Sequence, residues 1–151
     1  MRVVLAFIGL LIAAGFASAA SQPSASKTEY LVSTGAGFML TGEKGVAYGM
    51  SFHVRKPFPG AIYCVALFEN PAAPDAPLKK EFSVAADATE IQVQSDGMHV
   101  IQNDHRYMVR LMLYLDPGHA SLLSEHDQEV LFSMPRNMLG ILHDKYGVDV
   151  D

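Results

Sequence analysis

Apolar and polar side chains alternate with a period of two along most of this chain. The clearest run covers residues 46–55. Its bulky set is Val46, Tyr48, Met50, Phe52 and Val54, and its small or polar set is Ala47, Gly49, Ser51, His53 and Arg55. Successive side chains of a strand point to opposite faces of a sheet, so this pattern predicts a strand with one buried and one solvated face.

The same reasoning predicts further strands. Bulky residues alternate over 107–115, which predicts a second long strand. Residues 61–69 are apolar in both alternating sets, and this indicates a strand that is covered on both faces. Shorter strands are predicted at 29–32, 78–84, 89–94, 98–101 and 129–134.

Turns and a little helix separate these strands. The glycine-rich segments 35–37 and 41–45 predict turns, because glycine accepts backbone angles that other residues avoid. Polar residues 121–128 predict at most one helical turn. Pro135 is suited to a helix start, and it predicts a short C-terminal helix that ends at Gly147.

About seven short strands with frequent turns are typical of an antiparallel β-sandwich. Polar residues precede Tyr107 and large residues alternate after it, which resembles the strand entry of immunoglobulin-like domains, where a tyrosine hydroxyl tethers the preceding corner. The resemblance covers these few residues, and the sequence lacks the paired cysteines and the tryptophan of antibody domains. We predict a single all-β, immunoglobulin-like sandwich domain over residues 29–151.

The N-terminal residues have a different composition from the rest of the chain. Arg2 is followed by an almost unbroken apolar run to Phe16 and then by small residues up to Ala20. A basic start, an apolar stretch too short to span a bilayer and a small-residue cleavage region are the parts of a secretory signal peptide. We predict a signal peptide at 1–20 that is cleaved near Ala19 or Ala20, a flexible leader at 21–28, and a periplasmic or secreted product without membrane insertion.

The net charge argues against nucleic acids and anionic membranes as partners, and the cysteine count excludes an internal disulfide. Cleavage of the signal removes Arg2 and leaves ten basic side chains against sixteen acidic ones. Nucleic acids and anionic membrane surfaces require a basic protein face, so neither is an expected partner. The single cysteine, Cys64, cannot form an internal disulfide, and its apolar strand predicts a buried thiol.

The sequence contains no catalytic motif of the kind that can be recognised by spacing. It has no G-x-S-x-G, no H-E-x-x-H, no phosphate-binding glycine loop and no C-x-x-C. We therefore predict a protein that is not an enzyme and that carries no cofactor.

Metal binding is the alternative that the six histidines raise. Imidazole and thioether ligands suit copper, but neighbouring residues of a strand point apart, whereas a loop can bring side chains together. The best set is Asp116, His119, Glu125, His126 and Asp127. It predicts a copper or zinc site in the 116–127 loop, with a solvated polar loop as the competing interpretation.

Phe58 is the most suggestive binding residue, because it lies between Pro57 and Pro59 in a predicted loop. An aromatic side chain on a stiff loop loses little conformational entropy when it enters a partner's pocket. With the neighbouring Arg55 and Lys56 it forms the predicted partner-binding set. In the other interpretation, Phe58 folds back and caps one end of the core.

These observations favour a secreted or periplasmic sandwich protein that binds an envelope or extracellular protein or a glycan. In such folds, binding residues usually lie on connections or at an unpaired strand edge. The alternative function is the handling of copper or zinc in the periplasm by the 116–127 loop.

Overall fold

The computed structural model describes residues 29–41 and 45–151. The predicted signal peptide, the predicted leader and part of the predicted 41–45 turn lie outside these residues. Strands hold 53% of the described residues and helix holds 9%. The elements in chain order are β1 Leu31–Leu40, β2 Val46–Val54, β3 Ile62–Phe68, β4 Leu78–Val84, β5 Glu90–Gln94, β6 Val100–Ile101, β7 His105–Tyr114, β8 Leu122–Phe132, α1 Arg136–Tyr146 and β9 Asp149–Val150.

The strands form two antiparallel sheets and one small parallel pair. The first sheet has three strands in the order β1-β2-β5, and the second has four in the order β4-β3-β7-β8. The parallel pair joins β6 to β9. Within the described residues, β1, β5, β4 and β8 are therefore the strands that end the two main sheets.

One hydrophobic core receives side chains from both main sheets. The Tyr48 ring of β2 meets Phe68 of β3 at 5.3 Å between centroids and Tyr107 of β7 at 5.3 Å. Phe38 of β1 meets Phe132 of β8 at 4.8 Å. The predicted alternation is confirmed in β7, where every second side chain is buried. The described residues are thus mostly β, as the periodicity predicts.

Two predictions at the domain corners are confirmed by hydrogen bonds. The Tyr107 hydroxyl accepts the Gln102 backbone N–H at 2.6 Å, so it tethers the corner that precedes β7. The helix α1 follows Pro135 and ends at Gly147, which adopts the left-handed conformation with φ 60° and donates its N–H to the His143 carbonyl at 3.0 Å. Only glycine and a few polar residues adopt that conformation at low cost, so a helix ends readily there.

Cys64 is fully buried in β3, as predicted. Burial disfavours the charged thiolate and raises the pKa of the thiol to about 12. The side chain therefore packs as a small hydrophobe.

Two secondary-structure predictions are wrong for related reasons. The first strand does not end at residue 32 in a glycine turn but continues to Leu40, because its backbone pairs with β2 across a register shift between Ser33 and Gly35. Residues 122–132 form one long strand instead of a helical turn followed by a strand at 129–134. Pairing with β7 overrides the weak local preference of a polar segment.

Among the described residues, no helix combines the length and the apolar character that a membrane crossing requires.

Candidate functional site

The loop predicted to bind a partner places its aromatic residue in the core. Phe58 is only 5% exposed, and its ring stacks on Tyr30 with the centroids 5.7 Å apart and the planes inclined by 20°. The prediction of an exposed anchor is therefore corrected in favour of the core cap. The physical reason is that Tyr30 provides a hydrophobic ring to stack on, and a buried aromatic side chain is more stable than an exposed one.

The two cations of this loop are exposed, and Lys56 is held at the start of the domain. The Lys56 ammonium bonds the carboxylate of Glu29 and lies 5.1 Å from the Tyr30 ring centroid. The hydrogen bond to Glu29 raises the pKa of Lys56. The Arg55 backbone N–H donates to the Tyr30 carbonyl at 2.8 Å. The loop is thus fastened to residues 29–30 by both backbone and side chains.

The first half of the predicted metal loop uses its ligands to build the loop itself. The Asp116 carboxylate accepts the Ala120 N–H at 3.0 Å and the Ser121 N–H at 2.7 Å. These backbone hydrogen bonds lower the pKa of Asp116. His119 adopts a left-handed backbone with φ 58°, and its ring lies 4.8 Å from that of Tyr114.

The second half of that loop is a strand, and a strand separates the remaining ligands. Glu125 and Asp127 both bond the Arg110 guanidinium on the outer face of the sheet, with the Arg110 Nε 3.1 Å from Glu125 and 2.9 Å from Asp127. His126, between them, points into the core. In the described part of the chain, no group of three or more His, Cys, Asp or Glu side chains could hold a metal ion. The predicted convergence of Asp116, His119, Glu125 and His126 is therefore wrong.

A histidine and a carboxylate meet at the other end of β7. His105 Nε2 and Glu69 Oε1 lie 2.7 Å apart, and Glu69 Oε2 accepts the Met108 N–H at 3.0 Å. The Tyr48 hydroxyl donates to the Glu69 carbonyl at 2.9 Å. Both carboxylate oxygens of Glu69 thus join the end of β3 to β7, so the pair stabilises a corner of the fold.

The end strands β1 and β4 of the two sheets differ in charge, and the sequence reasoning above does not identify this contrast. On β1, no side chain is charged, and Met39 and Leu40 are each 42% exposed. On β4, the sequence Leu78–Val84 contains two lysines and a glutamate. Edge strands present unpaired N–H and C=O groups, and charged side chains on an edge prevent other chains from pairing with them.

The glycines of β1 leave open space beside the backbone. A Cβ added at Gly35 or Gly37 would meet no heavy atom within 4 Å, whereas one added at Gly49 of β2 would lie 2.4 Å from the Val93 carbonyl oxygen. Gly49 is therefore required by the packing of this domain, and Gly35 and Gly37 are not. In the described residues no strand pairs with the other side of β1, which leaves residues 35–40 as an edge of the sheet.

The core-facing side of β1 is nevertheless fixed by side-chain packing, and its backbone is fixed by pairing with β2. Phe38 points into the core, where its ring stacks on Tyr48 at 5.2 Å and meets Phe132 edge-on at 4.8 Å. Its backbone pairs with β2 in register from Gly35 to Leu40. Residues 35–40 thus form a fixed, uncharged, partly exposed edge, which we call the β1 edge.

On the opposite side of the molecule, the end strand β4 carries a charged side chain on its inward face. Lys80 of β4 pairs in the sheet with Ala66, whose side chain is buried, so Lys80 lies on the inward face of its strand. Its ammonium bonds the carboxylate of Asp96, which follows β5 in the other sheet. An inward-pointing charge at a sheet edge is a known way to prevent strand addition.

No protein-family model matches this chain, and no curated protein matches it either.

Proposed function

We propose that the chain is a secreted or periplasmic, non-enzymatic domain of the immunoglobulin-like β-sandwich class, and that it binds an extended segment of an envelope or extracellular protein along the β1 edge. The sandwich is supported by the two antiparallel sheets that share one core and by the Tyr107 tether. Export is supported by the signal-like sequence of residues 1–20.

The β1 edge is the observation that carries the proposal. A partner strand laid against residues 35–40 extends the sheet, since main-chain N–H and C=O groups are the recognition elements in strand addition. Each backbone hydrogen bond contributes about 0.5–1.5 kcal/mol net, so several of them together give a usable affinity without any charged contact. The rigid support from Phe38 reduces the entropy that the edge loses on binding.

The side chains beside this edge define the chemistry of the partner. Gly35, Gly37 and Met39 alternate along the outer face, because Ala36 and Phe38 between them pack against the core. Bulky side chains of a partner can lie over the two glycines, as aromatic residues do across edge glycines. We therefore expect a partner strand that is uncharged and that carries aromatic or large aliphatic residues on one face.

A charge placed on the outer face of the edge tests the proposal. Gly37→Lys adds a side chain where there is open space, and Ser83→Lys makes the same kind of change on the exposed face of β4. Tagged mature protein is used to capture cross-linked partners from an envelope extract. We expect Gly37→Lys to lose the captured protein and Ser83→Lys to retain it.

The mode of binding is tested separately with the captured partner. Added to the isotopically labelled domain, it should slow hydrogen exchange at the amides of 35–40 while those of β4 stay unchanged. Equal capture by both lysine variants, or protection of the 55–60 loop instead of β1, contradicts strand addition. Binding to a glycan array that survives Gly37→Lys supports the glycan alternative in its place.

A further inference from the structure

A buried histidine lies on β8, the strand whose Phe132 packs against Phe38 of the β1 edge. His126 of β8 is 1% exposed, and its ring meets the Phe52 ring edge-on at 4.8 Å and 86°. Phe52 pairs in its sheet with Ser33 of β1. His126 therefore lies in the core between the two sheets, on the side of the molecule where Phe38 of β1 meets Phe132 of β8.

The ring has almost no polar support in this position. Its Nε2 lies 3.5 Å from the Gln128 Oε1, at the outer limit of a hydrogen bond. Its Nδ1 has no partner and is the one such buried side-chain nitrogen or oxygen among the residues that the structure describes. The arrangement fits a neutral ring whose Nε2–H donates to Gln128, since an imidazolium would bury a second N–H without an acceptor.

Nothing that packs against the ring offers a negative charge within the described residues. The buried side chains of β7 and β2 on this face are aliphatic, aromatic or methionine, namely Tyr107, Val109, Leu111, Leu113, Val46, Tyr48, Met50, Phe52 and Val54. The two tyrosines are uncharged, because burial raises the pKa of each. β1 has no titratable side chain, and the buried residues of β5 are Ile91 and Val93.

The acids nearest along the chain are already paired. Asp127 and Glu125 flank His126 on β8, and both bond Arg110 on the opposite face of the sheet. The charge of Asp127 and the hydrogen bond to Gln128 favour the protonated ring, but desolvation outweighs both and lowers the pKa of His126, so protonation in the core is unfavourable. The ring can accept a proton at low cost only if β8 leaves the core and the ring reaches water.

We propose that His126 is an acid-sensitive switch that releases β8 from the core, and with it the contact between β8 and β1. Among the described residues β8 is the end strand of its sheet, so its release breaks the pairing with one strand, β7, and the core packing of its buried side chains, such as Val130 and Phe132. The inference does not depend on any partner binding at the β1 edge, because it concerns the stability of the domain itself.

The direction of the pH effect follows from the burial. Desolvation lowers the pKa of His126 below its ordinary value of about 6.5. The ring therefore binds the proton more weakly when β8 is packed on the core than when β8 is released. The packing of β8 on the core is most stable above about pH 6.5. Its stability falls as the pH falls toward the lowered pKa, and below that pKa it falls no further.

Hydrogen exchange of the mature protein between about pH 7.5 and 5 tests the switch. We expect the protection factors of the 126–132 amides to fall about tenfold for each pH unit below about 6.5, until the pH reaches the lowered pKa. His126→Phe, which keeps an aromatic ring and removes the titration, should abolish this loss, and His126→Leu serves if the first variant does not fold. The exposed His53 provides the matched control, and His53→Gln should keep the wild-type loss.

Three results would overturn the proposal. The pH-dependent loss of β8 protection could persist in His126→Phe. It could disappear in His105→Gln, which would assign it to the Glu69 pair instead. Finally, the His126 imidazole could titrate near pH 6.5 in nuclear magnetic resonance spectra while the β8 amides stay protected, which would mean that the buried ring accepts its proton without opening.

Discussion

The two open sides of this molecule are built in opposite ways. On one side β4 carries an inward-pointing lysine, Lys80, whose ammonium bonds Asp96 at the end of β5 in the other sheet. On the other side, β1 carries no charge, and Met39 and Leu40 are exposed at its end. A protein that protects one edge with charges and leaves the other uncharged retains an aggregation risk at the second edge. Such a risk is expected where the edge has a use, and this contrast supports the proposal that β1 binds a partner strand.

A matched pair of glycine substitutions should give the largest difference in the free energy of unfolding. One lies in β2, an inner strand of its sheet, and the other lies on the β1 edge. Gly49→Ala, within the β2–β5 pair, forces a Cβ against the Val93 carbonyl oxygen and should reduce the free energy of unfolding by about 3 kcal/mol. Gly37→Ala, on the β1 edge, enters open space and should change it by less than about 0.5 kcal/mol. Urea unfolding of both variants measures the difference. Equal losses would mean that the space beside Gly37 is filled in solution.

Removal of the ring that fixes β1 should have the next largest effect. Phe38→Ala loses contacts with Tyr48, Tyr107 and Phe132 and should cost about 2 kcal/mol, since the side chain is only partly buried. Amide exchange should accelerate in β1 before it does in β3. Met39→Ala is the control, because Met39 is the next residue along the chain and lies on the exposed face. It should change the free energy of unfolding by less than about 0.5 kcal/mol and leave the exchange rates of β1 unchanged. Uniform acceleration in every strand would contradict an independently fixed edge.

The smallest effect is expected on the charged side. Lys80→Ala breaks the exposed ion pair with Asp96 and should change the free energy of unfolding by no more than about 0.5 kcal/mol. The rate of aggregation on mild heating should nevertheless rise, because β4 loses the charge that blocks strand addition. Light scattering during a temperature ramp measures this rate. An unchanged rate would show that Lys80 does not protect the edge, and the contrast with β1 would then lose its meaning.

The candidate sites were the least predictable part of the molecule. The flanking prolines mark Phe58 as a special residue, but its burial depends on Tyr30, which is separated from it along the chain and becomes its neighbour only in the fold. The polar segment that contains Asp116 and His126 predicts one loop, yet pairing with β7 makes residues 122–132 a strand in which His126 points inward. The sequence does show that β1 is uncharged, although it does not show that β1 lies at an edge. No charged residue occurs between Glu29 and Glu43.

The sequence by itself determined the β character, the alternating faces of β7, the buried Cys64 and the helix stop at Gly147. Each of these depends on local periodicity or on the backbone preference of a single residue, so it can be read from neighbours along the chain. Only the tertiary structure decided that β1 and β8 are long strands, that β1 ends its sheet, and that the His126 Nδ1 is buried with no hydrogen-bond partner among the described residues. These properties arise from pairing and packing between residues far apart in sequence, and no local pattern encodes which strand will lie at an edge.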